Sequence, residues 1–400
     1  MKEGITVQID SRIPHQHEVR PFFQPILSLQ NQEIIGYETL GRRIRNGVVE
    51  SLGPFFQSSD IPEEVHLTID RYLREDAMKQ LAATDDECLL FINLKPSWIY
   101  RTYRRTGELP TLQLIRKYQI NPARIVIEIT EEEFTGKLQE LMQIVGLYRD
   151  FGCIVAIDDV GSGFSNFDRI ASLQPKILKI DLNILKKSAT HAGYKALMES
   201  FSILAAQMGA SLLVEGVETK QELHSALQVG ARYVQGYLFS KAESELQHRD
   251  AFKDMLKEEM QLFSLNEFQR YSQMFAVQQN LDAFVHSMLP IRTSEDADQV
   301  IEHAMSKVSN TCMRMYICRE DGCQISSNYS RRDETWCKDE SYRGANWIWR
   351  PYFISNILMM NLQKQGIFSQ PYTDLDTSYQ IQTYSCVVGE SCYLFLDLTI

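Results

Sequence analysis

Two patterns of apolar residues alternate along the chain between Phe22 and Ser240. Short, nearly continuous apolar runs predict strands covered on both faces, which is typical of a parallel sheet. Between them, apolar residues recur every three or four positions, as in amphipathic helices. The predicted strands are PFFQPILSL, EIIGYETLG, CLLFINL, RIVIEIT, CIVAIDDV, ILKIDL, SLLVEGV and YVQGYLF.

This alternation predicts an α/β fold for the first part of the chain. About eight strands separated by helices in roughly 220 residues fit a closed TIM-type (β/α)₈ barrel. An open, doubly wound sheet is the alternative. Helix-start signals follow two strands, because Thr219 and Glu222, and likewise Thr130 and Glu133, have the spacing of a capping box.

The pattern changes after the barrel. Residues 246–289 contain neither glycine nor proline and carry helical periodicity, so we expect a helical linker. Residues 290–400 are rich in short β patterns, and Asp321-Gly322 between two alternating runs predicts a hairpin. The predicted domains are therefore a barrel over 1–245, a linker over 246–289 and an α+β domain over 290–400.

Composition and charge argue against some classes of function. The chain has 400 residues, 44% of them apolar and 23% charged, as in ordinary globular proteins. It has no apolar run of about 18 residues and no signal-peptide core, so we expect a cytoplasmic protein without a membrane partner, with its eight cysteines as thiols. A net charge of −11 argues against a nucleic-acid polymer as partner. A small phosphorylated ligand remains compatible, because bound cations reverse the sign of an acidic site.

Polar residues stand at the ends of the predicted strands, where a barrel of this type carries its functional groups. They are Glu38, Asn93, Glu128, Asp158, Asp159, Lys179, Asp181, Glu215 and Gln235. A single acidic residue at a strand end usually caps a helix or pairs with a basic side chain. An array on successive strands is harder to explain in that way, and sites rich in oxygen ligands favour Mg²⁺, Mn²⁺ or Ca²⁺.

Eight short stretches, in order, resemble the signatures of the EAL domain family. They are QPI (24–26), YETLGR (37–42), FIN (91–93), EITE (128–131), AIDDVGSGFSN (156–166), LKID (178–181), VEGVET (214–219) and QGYLFS (235–240). The resemblance covers the chain from about Phe22 to Ser240. It implies a metal-dependent barrel that binds cyclic di-GMP and opens one phosphodiester to give linear pGpG.

The resemblance also implies roles for individual residues. One metal would be held by Glu38, Asn93, Glu128 and Asp158, with Asp159 bridging to a second. Lys179 would contact the attacking water, while Glu215 and Gln235 would complete the catalytic set. Glu218 would hold the loop that follows the fifth strand. The ligand would be contacted by Gln24, Leu40, Arg42 and Asp181. The expected metal is Mg²⁺ or Mn²⁺, and Ca²⁺ is expected to occupy the site without supporting turnover.

The chain departs from the family pattern at several positions. Thr39 replaces the usual alanine. The family prefers an aromatic residue at Val160, tyrosine at Phe164 and serine at Asn166. In this family that loop couples ligand binding, metal capture and dimerisation. Two hypotheses follow: a phosphodiesterase regulated by its C-terminal domain, or a receptor with weak or no turnover. A scaffold without a nucleotide is disfavoured by the complete ligand set.

The last part of the chain resembles PAS or Cache sensory domains. The resemblance rests on RMYICREDGCQISSN, on Arg350–Phe353 and on QPYTD (370–374) before a closing strand. It implies a small ligand for this domain, although the aromatic residues also suit a core or an interface. The layout further suggests a homodimer in which the linker helix transmits a signal.

Overall fold

The computed structural model describes residues 12–84, 87–129, 134, 137–161, 167–188, 190–287, 291, 294–332 and 335–399. These residues form two compact units, which divide between Phe263 and Ser264.

Eight strands of the first unit close into a ring with the order β1, β2, β4, β5, β6, β7, β8, β9 and back to β1. β3 pairs with β2 outside the ring. The expectation of a closed barrel is confirmed over the open sheet. The strands are β1 (Val19–Ser28), β2 (Glu33–Arg45), β3 (Val48–Ser51), β4 (Leu89–Leu94), β5 (Ile125–Ile129), β6 (Ile154–Val160), β7 (Ile177–Ile180), β8 (Ser211–Val214) and β9 (Tyr233–Val234).

One strand differs from the expectation of a fully parallel barrel. β1 is antiparallel to both of its neighbours, β2 and β9, whereas the other ring pairs are parallel. The reason is the short connection over residues 29–32, since parallel neighbours need a crossover of a dozen or more residues. A hairpin is the arrangement that so short a segment allows.

Helices cover the outside of the ring and bury a core against it that includes Leu141, Val145 and Leu223. The capping box predicted from Thr219 and Glu222 is confirmed, because the Thr219 hydroxyl accepts from Glu222 N and the Glu222 carboxylate accepts from Thr219 N. The second predicted box, Thr130 and Glu133, lies outside the described residues. The helices are α1 (Gly53–Gln57), α2 (Glu63–Ala82), α3 (Pro96–Thr106), α4 (Pro110–Lys117), α5 (Leu138–Asp150), α6 (Phe167–Leu173), α7 (Leu182–Ser188), α8 (Ala192–Met208) and α9 (Lys220–Gln228), with 3₁₀ turns at Gln16–Glu18 and Pro122–Arg124.

The predicted linker is only partly helical. The long helix α10 (Lys253–His286) has 34 residues, but it begins later than the periodicity suggests. The preceding segment is held on the barrel by backbone hydrogen bonds between Phe23 and Glu243 and from Ile34 N to Arg249 O. These bonds to strand edges compete with helix formation before Lys253.

The second unit is an α+β structure built on one antiparallel sheet with the order β12, β11, β10, β16, β15, β13, and with β14 also on β15. The hairpin predicted at Asp321-Gly322 is confirmed, since Arg319 N donates to Cys323 O at 2.9 Å. Its elements are α11 (Ser294–Ala304), β10 (Cys312–Arg319), β11 (Asn328–Arg332), β12 (Thr335–Asp339), a 3₁₀ turn (Glu340–Tyr342), α12 (Phe353–Gln363), β13 (Ile367–Phe368), β14 (Tyr372–Thr373), β15 (Gln380–Gly389) and β16 (Cys392–Thr399).

Across the described part of the chain, no helix combines the length and the apolar character that crossing a bilayer requires.

A close approach of two backbone segments fixes the last corner of the barrel. A Cβ on Gly236 would lie 2.1 Å from Val217 O and 2.2 Å from Val217 N, so Gly236→Ala requires the two segments to separate. We expect Gly236→Ala to lower the free energy of unfolding by about 1–3 kcal/mol or more, as overpacking does. Chemical denaturation measures the loss. The control is Gly146→Ala on α5, where nothing lies within 4 Å of the new Cβ and a gain of about 0.5–1 kcal/mol is expected. Equal stability of the two variants would contradict the prediction.

Candidate metal and ligand site

The site is a polar layer that lies directly above an apolar layer inside the ring. Alternate residues of a strand point to the same face, so residues two apart both point into the barrel. The apolar layer consists of Ile26, Phe91, Val126, Ala156, Ile177 and Leu213. Two positions from these, in the same order, stand Gln24, Asn93, Glu128, Asp158, Lys179 and Glu215. The strand period therefore brings the predicted polar residues together at one end of the ring.

Lys179 stands at the centre of this layer, on β7, and is 0% exposed. Four carboxylates surround its ammonium group, so this one cation is shared among four anions. The distances from Nζ are 2.5 Å to Glu215, 2.6 Å to Glu128, 3.2 Å to Asp158 and 3.6 Å to Glu38.

Glu38 is held in place by two amide side chains. Asn93 Nδ2 donates to Glu38 Oε1 at 2.7 Å, and Gln235 Nε2 donates to Glu38 Oε2 at 2.8 Å. Glu38 lies in the middle of β2 rather than at its end, because the strand continues to Arg45 and pairs with β3. It is nevertheless the last residue of β2 that pairs with β4.

The end of β6 turns Asp158 and Asp159 toward the same region. The pairing of β6 with β7 shifts register between Ile157 and Val160, and Asp159 has a φ of 56°. Such a left-handed conformation is uncommon for a residue with a side chain and is a feature of functional loops. Asp159 N donates to Asp158 Oδ1 at 2.9 Å, which orients the first carboxylate.

Burial and mutual repulsion shift the ionisation of the layer. The pKa of Glu128 lies well above its usual value because of burial, with Glu38 and Asp158 adding to the effect and Lys179 opposing it. Burial, followed by the negative charge of Asp158, raises the pKa of Asp159 to about 6. Burial alone would lower the pKa of Lys179, but the surrounding carboxylates together raise it well above the ordinary value.

The carboxylates fit the donor set of hard divalent cations. Two groups of three have ligand oxygens within 4.8 Å of one another, and Glu215 belongs to both. Together they comprise five carboxylates against the single ammonium of Lys179. In addition, Glu128 Oε2 is buried and has no hydrogen-bond donor among the described residues. A buried excess of anionic oxygen is stabilised by Mg²⁺, Mn²⁺ or Ca²⁺. The two groups are Glu38, Glu128 and Glu215, and Asp158, Asp159 and Glu215.

A cavity of about 370 Å³ adjoins this layer, and Asn93, which belongs to the layer, also lines the cavity. Leu40 and Arg42 from β2 line the same cavity. Burial lowers the pKa of the Arg42 guanidinium, although an arginine keeps its charge under such a shift. Gln24 lies opposite Glu38 in the β1–β2 register, and its amide donates to Ser240 O at 3.3 Å. The space beside the carboxylate layer is therefore lined by both an amide and a guanidinium group.

Two of the predicted residues lie beside the layer rather than in it. The Asp181 carboxylate accepts from Asn183 N at 2.7 Å, so it caps the start of α7. Glu218 is largely exposed and pairs with Lys186 of α7 at 3.1 Å. Its expected contact with the loop after β6 stays a prediction, since residues 162–166, including Phe164 and Asn166, lie outside the described residues.

Lys95 and Trp98 also line the cavity with Arg42, although the sequence patterns predict no role for them. The Lys95 ammonium lies 4.7 Å from the Trp98 ring centre and donates to Phe56 O. The sequence did contain a signal, because both residues lie within four positions of the end of β4 at Leu94, on the side of a barrel where the loops form its active face.

The closed barrel defines a TIM-type protein, and its carboxylate layer has the donor set of a divalent-cation site. An EAL domain model matches residues 7–242, and a model for an EAL-domain associated signalling protein domain matches residues 246–400. The chain belongs to the EAL domain family.

Relatives extend the likeness over both units. The uncharacterised EAL-domain containing protein YkuI of Bacillus subtilis is 35% identical over 388 residues, which cover 95% of this chain and 94% of YkuI. A crystal structure of YkuI in complex with substrate c-di-GMP and calcium matches with a TM-score of 0.89 and 34% identity, over 96% of this chain and 97% of that one. The probable cyclic di-GMP phosphodiesterase PdeB of Escherichia coli is 30% identical over 226 residues, covering 55% of this chain and 42% of PdeB. The last likeness therefore spans less than half of PdeB.

Cation binding to the layer should stabilise the protein. At about 100 times the dissociation constant, Mg²⁺ or Mn²⁺ is expected to add about 2.7 kcal/mol to the free energy of unfolding. In Glu128→Gln this gain should largely disappear, while the metal-free protein is as stable as the wild type or more so, because a buried negative charge is removed. Thermal melts with the cation and with EDTA measure both effects. Glu75→Gln, in a surface pair with Lys117, is the matched control and should retain the full gain. A wild type that melts identically with cation and with EDTA would refute the site.

Proposed function

We propose that the chain binds cyclic di-GMP together with divalent cations at the end of the barrel and hydrolyses it to linear pGpG. The observation that carries the proposal is the buried Lys179 ammonium in contact with four carboxylates. Glu38, Asn93, Glu128, Asp158 and Asp159 would hold the cations, with Glu215 near both groups. Bound cations of this kind supply an activated water and neutralise phosphate charge.

The arrangement of the chain's own residues suits hydrolysis. Lys179 has three hydrogens to donate and is fixed by its carboxylate neighbours, so it can orient a water molecule against a phosphodiester. Gln235 and Asn93 each donate to Glu38, which fixes the direction of its carboxylate oxygens. Partners of this type hold ligand side chains in their binding geometry.

The cavity supports a dinucleotide ligand. Arg42 supplies a guanidinium group, which pairs well with phosphate oxygens. Leu40, Gln24 and Asp181 would also contact the ligand, and Asp181 directly follows β7. Within the family, YkuI has been crystallised with c-di-GMP and calcium, which is consistent with this ligand and with Ca²⁺ as an occupant that does not support turnover.

The C-terminal unit would act as the regulator, as a PAS- or Cache-like sensor that binds a small ligand. Arg350 is a candidate contact, since its guanidinium lies 4.5 Å from the Trp349 ring and 5.5 Å from the Tyr372 ring. A homodimer would allow the signal to pass between chains. The sensory role, the small ligand and the homodimer are proposals. They rest on the domain's resemblance to sensory domains and on its association with the EAL domain.

Turnover is the direct test of the enzymatic hypothesis. We expect the purified full-length chain to convert cyclic di-GMP to pGpG with Mg²⁺ or Mn²⁺, and Lys179→Ala to lower the rate by about 100-fold or more, as loss of a group that positions the reactants does. Chromatographic quantification of pGpG measures the rate, alongside calorimetric binding of cyclic di-GMP. The control, Lys176→Ala, removes an exposed lysine three residues earlier and should leave the rate unchanged. Binding without any product would favour a receptor, and no binding in any cation would exclude both functions.

A second candidate function is a cyclic di-GMP receptor that does not turn the ligand over. Val160 favours it, because this position directly precedes the loop that organises the family's site and holds a smaller side chain than the aromatic residue the family prefers. Val160 is 0% exposed and pairs with Ile180 of β7. The surrounding packing is therefore adapted to valine.

Restoring the family residue is expected to cost stability. Val160→Phe should lower the free energy of unfolding of the barrel by about 1–3 kcal/mol, because the larger ring must enter a filled core. Chemical denaturation measures this loss, and Val277→Phe at a half-exposed position on α10 should change stability little. A stable Val160→Phe variant with faster turnover than the wild type would instead identify this position as the cause of weak catalysis.

A further inference from the structure

The start of α10 docks on the barrel through one face of the helix. Leu256, Glu259 and Phe263 are spaced three and four residues apart and so lie on the same side. Leu256 is 0% exposed within the barrel core, and the Phe263 ring centre lies 5.8 Å from that of His224 on α9. These residues follow the segment that the EAL domain model matches, which ends at residue 242.

Glu259 is the polar member of this face, and its carboxylate binds two side chains of α9. Its Oε1 lies 2.5 Å from Lys220 Nζ and its Oε2 lies 3.0 Å from His224 Nε2. Lys220 and His224 are one helical turn apart, so one carboxylate spans the first turn of α9. Glu259 is only 4% exposed, and the bond from Lys220 is the main cause of its lowered pKa.

The first turn of α9 continues directly from the loop that carries Glu215. Glu222 on that turn accepts from Glu218 N at 2.8 Å and from Thr219 N at 3.0 Å. Upstream, Val217 N donates to Gln235 O, and Glu215 N donates to Ile180 O at the end of β7. The segment 215–219 is therefore fixed at one end by strands and at the other by the first turn of α9.

We infer that Glu259 is a positioning residue for Glu215. It acts through Lys220 and His224, which hold the first turn of α9 and with it the segment 215–219. Glu215 belongs to both groups of carboxylates that could hold a cation, so a shift of this segment changes both at once. The inference rests on the proposed function of the site and adds to it a residue outside the barrel strands and their loops.

This role has a structural consequence for regulation. α10 continues from Glu259 into residues 264–286, which belong to the second unit. A change that moves the beginning of this helix would shift α9 through the Glu259 carboxylate. Glu259 is thus a contact through which the helix shared by both units can alter cation binding at Glu215.

The test compares Glu259→Gln with Glu258→Gln in the full-length chain. Glu258 is the exposed neighbour on the same helix, so the substitution is chemically matched. We expect Glu259→Gln to weaken Mn²⁺ binding by about 3- to 10-fold, at the low end of what partners of metal ligands contribute, and Glu258→Gln to leave it unchanged. Calorimetric titration of Mn²⁺ measures this without nucleotide. Excess Mn²⁺ should restore both cyclic di-GMP binding and turnover in Glu259→Gln, which loss of fold alone would not allow.

A double-mutant cycle separates positioning from general destabilisation. In the background of Lys220→Met, which removes the exposed partner, Glu259→Gln should add less than about twofold to the loss of Mn²⁺ affinity, because coupled residues are not additive.

Equal Mn²⁺ affinity of Glu259→Gln and Glu258→Gln would overturn the inference. A wild type that binds Mn²⁺ but not cyclic di-GMP would overturn the proposed ligand and leave the positioning role to be judged on the metal titration. A wild type that binds no Mn²⁺ would overturn both.

Discussion

The rest of the barrel depends on the electrostatic balance around Lys179. One ammonium group is completely buried and contacts four carboxylates, and Asp159 adds a fifth in the adjoining group of ligands. Burying such groups is costly unless each is paired, and a single lysine cannot neutralise five anions. The site therefore requires either protons or cations. The raised pKa values of Glu128 and Asp159 mean that these carboxylates bind protons more readily than usual. The geometry of the carboxylate oxygens suits cations.

The fold tolerates this layer because the rest of the ring is apolar and well packed. Below the polar residues, the strands fill the barrel with Phe91, Val126, Leu213 and similar side chains. Glu38 receives two amide donors, and the Gly236 backbone approaches Val217 so closely that the corner beside Gln235 has little freedom. Rigid surroundings keep groups of like charge at a short distance, which is the condition for cation binding and for orienting a substrate.

The second unit connects to this chemistry through one continuous helix. Leu256 places the start of α10 in the barrel core, while Val285 near its end lies in the core of the C-terminal sheet. Glu259 gives the barrel end of the helix a charged contact with α9. Under the proposed role of Glu259, a movement of the start of α10 would change the position of Glu215 without any contact with the ligand.

The sequence by itself determined the barrel, the order of its strands and most members of the polar layer. Alternation within each strand decides this, since a carboxylate two residues after a buried apolar residue must point the same way. The hairpin at Asp321-Gly322 and the cap at Thr219 could also be predicted from the sequence, because each depends on residues that are close together in the chain. Only the tertiary structure decided the late start of α10 and the contacts of Glu259. These depend on which distant segments pack together, as Glu243 does with Phe23 and Glu259 with Lys220, and local sequence patterns do not encode such pairing. The role of each polar residue likewise follows from distance: Asp181 and Lys179 are neighbours in sequence, yet one caps a helix and the other stands at the centre of the carboxylates.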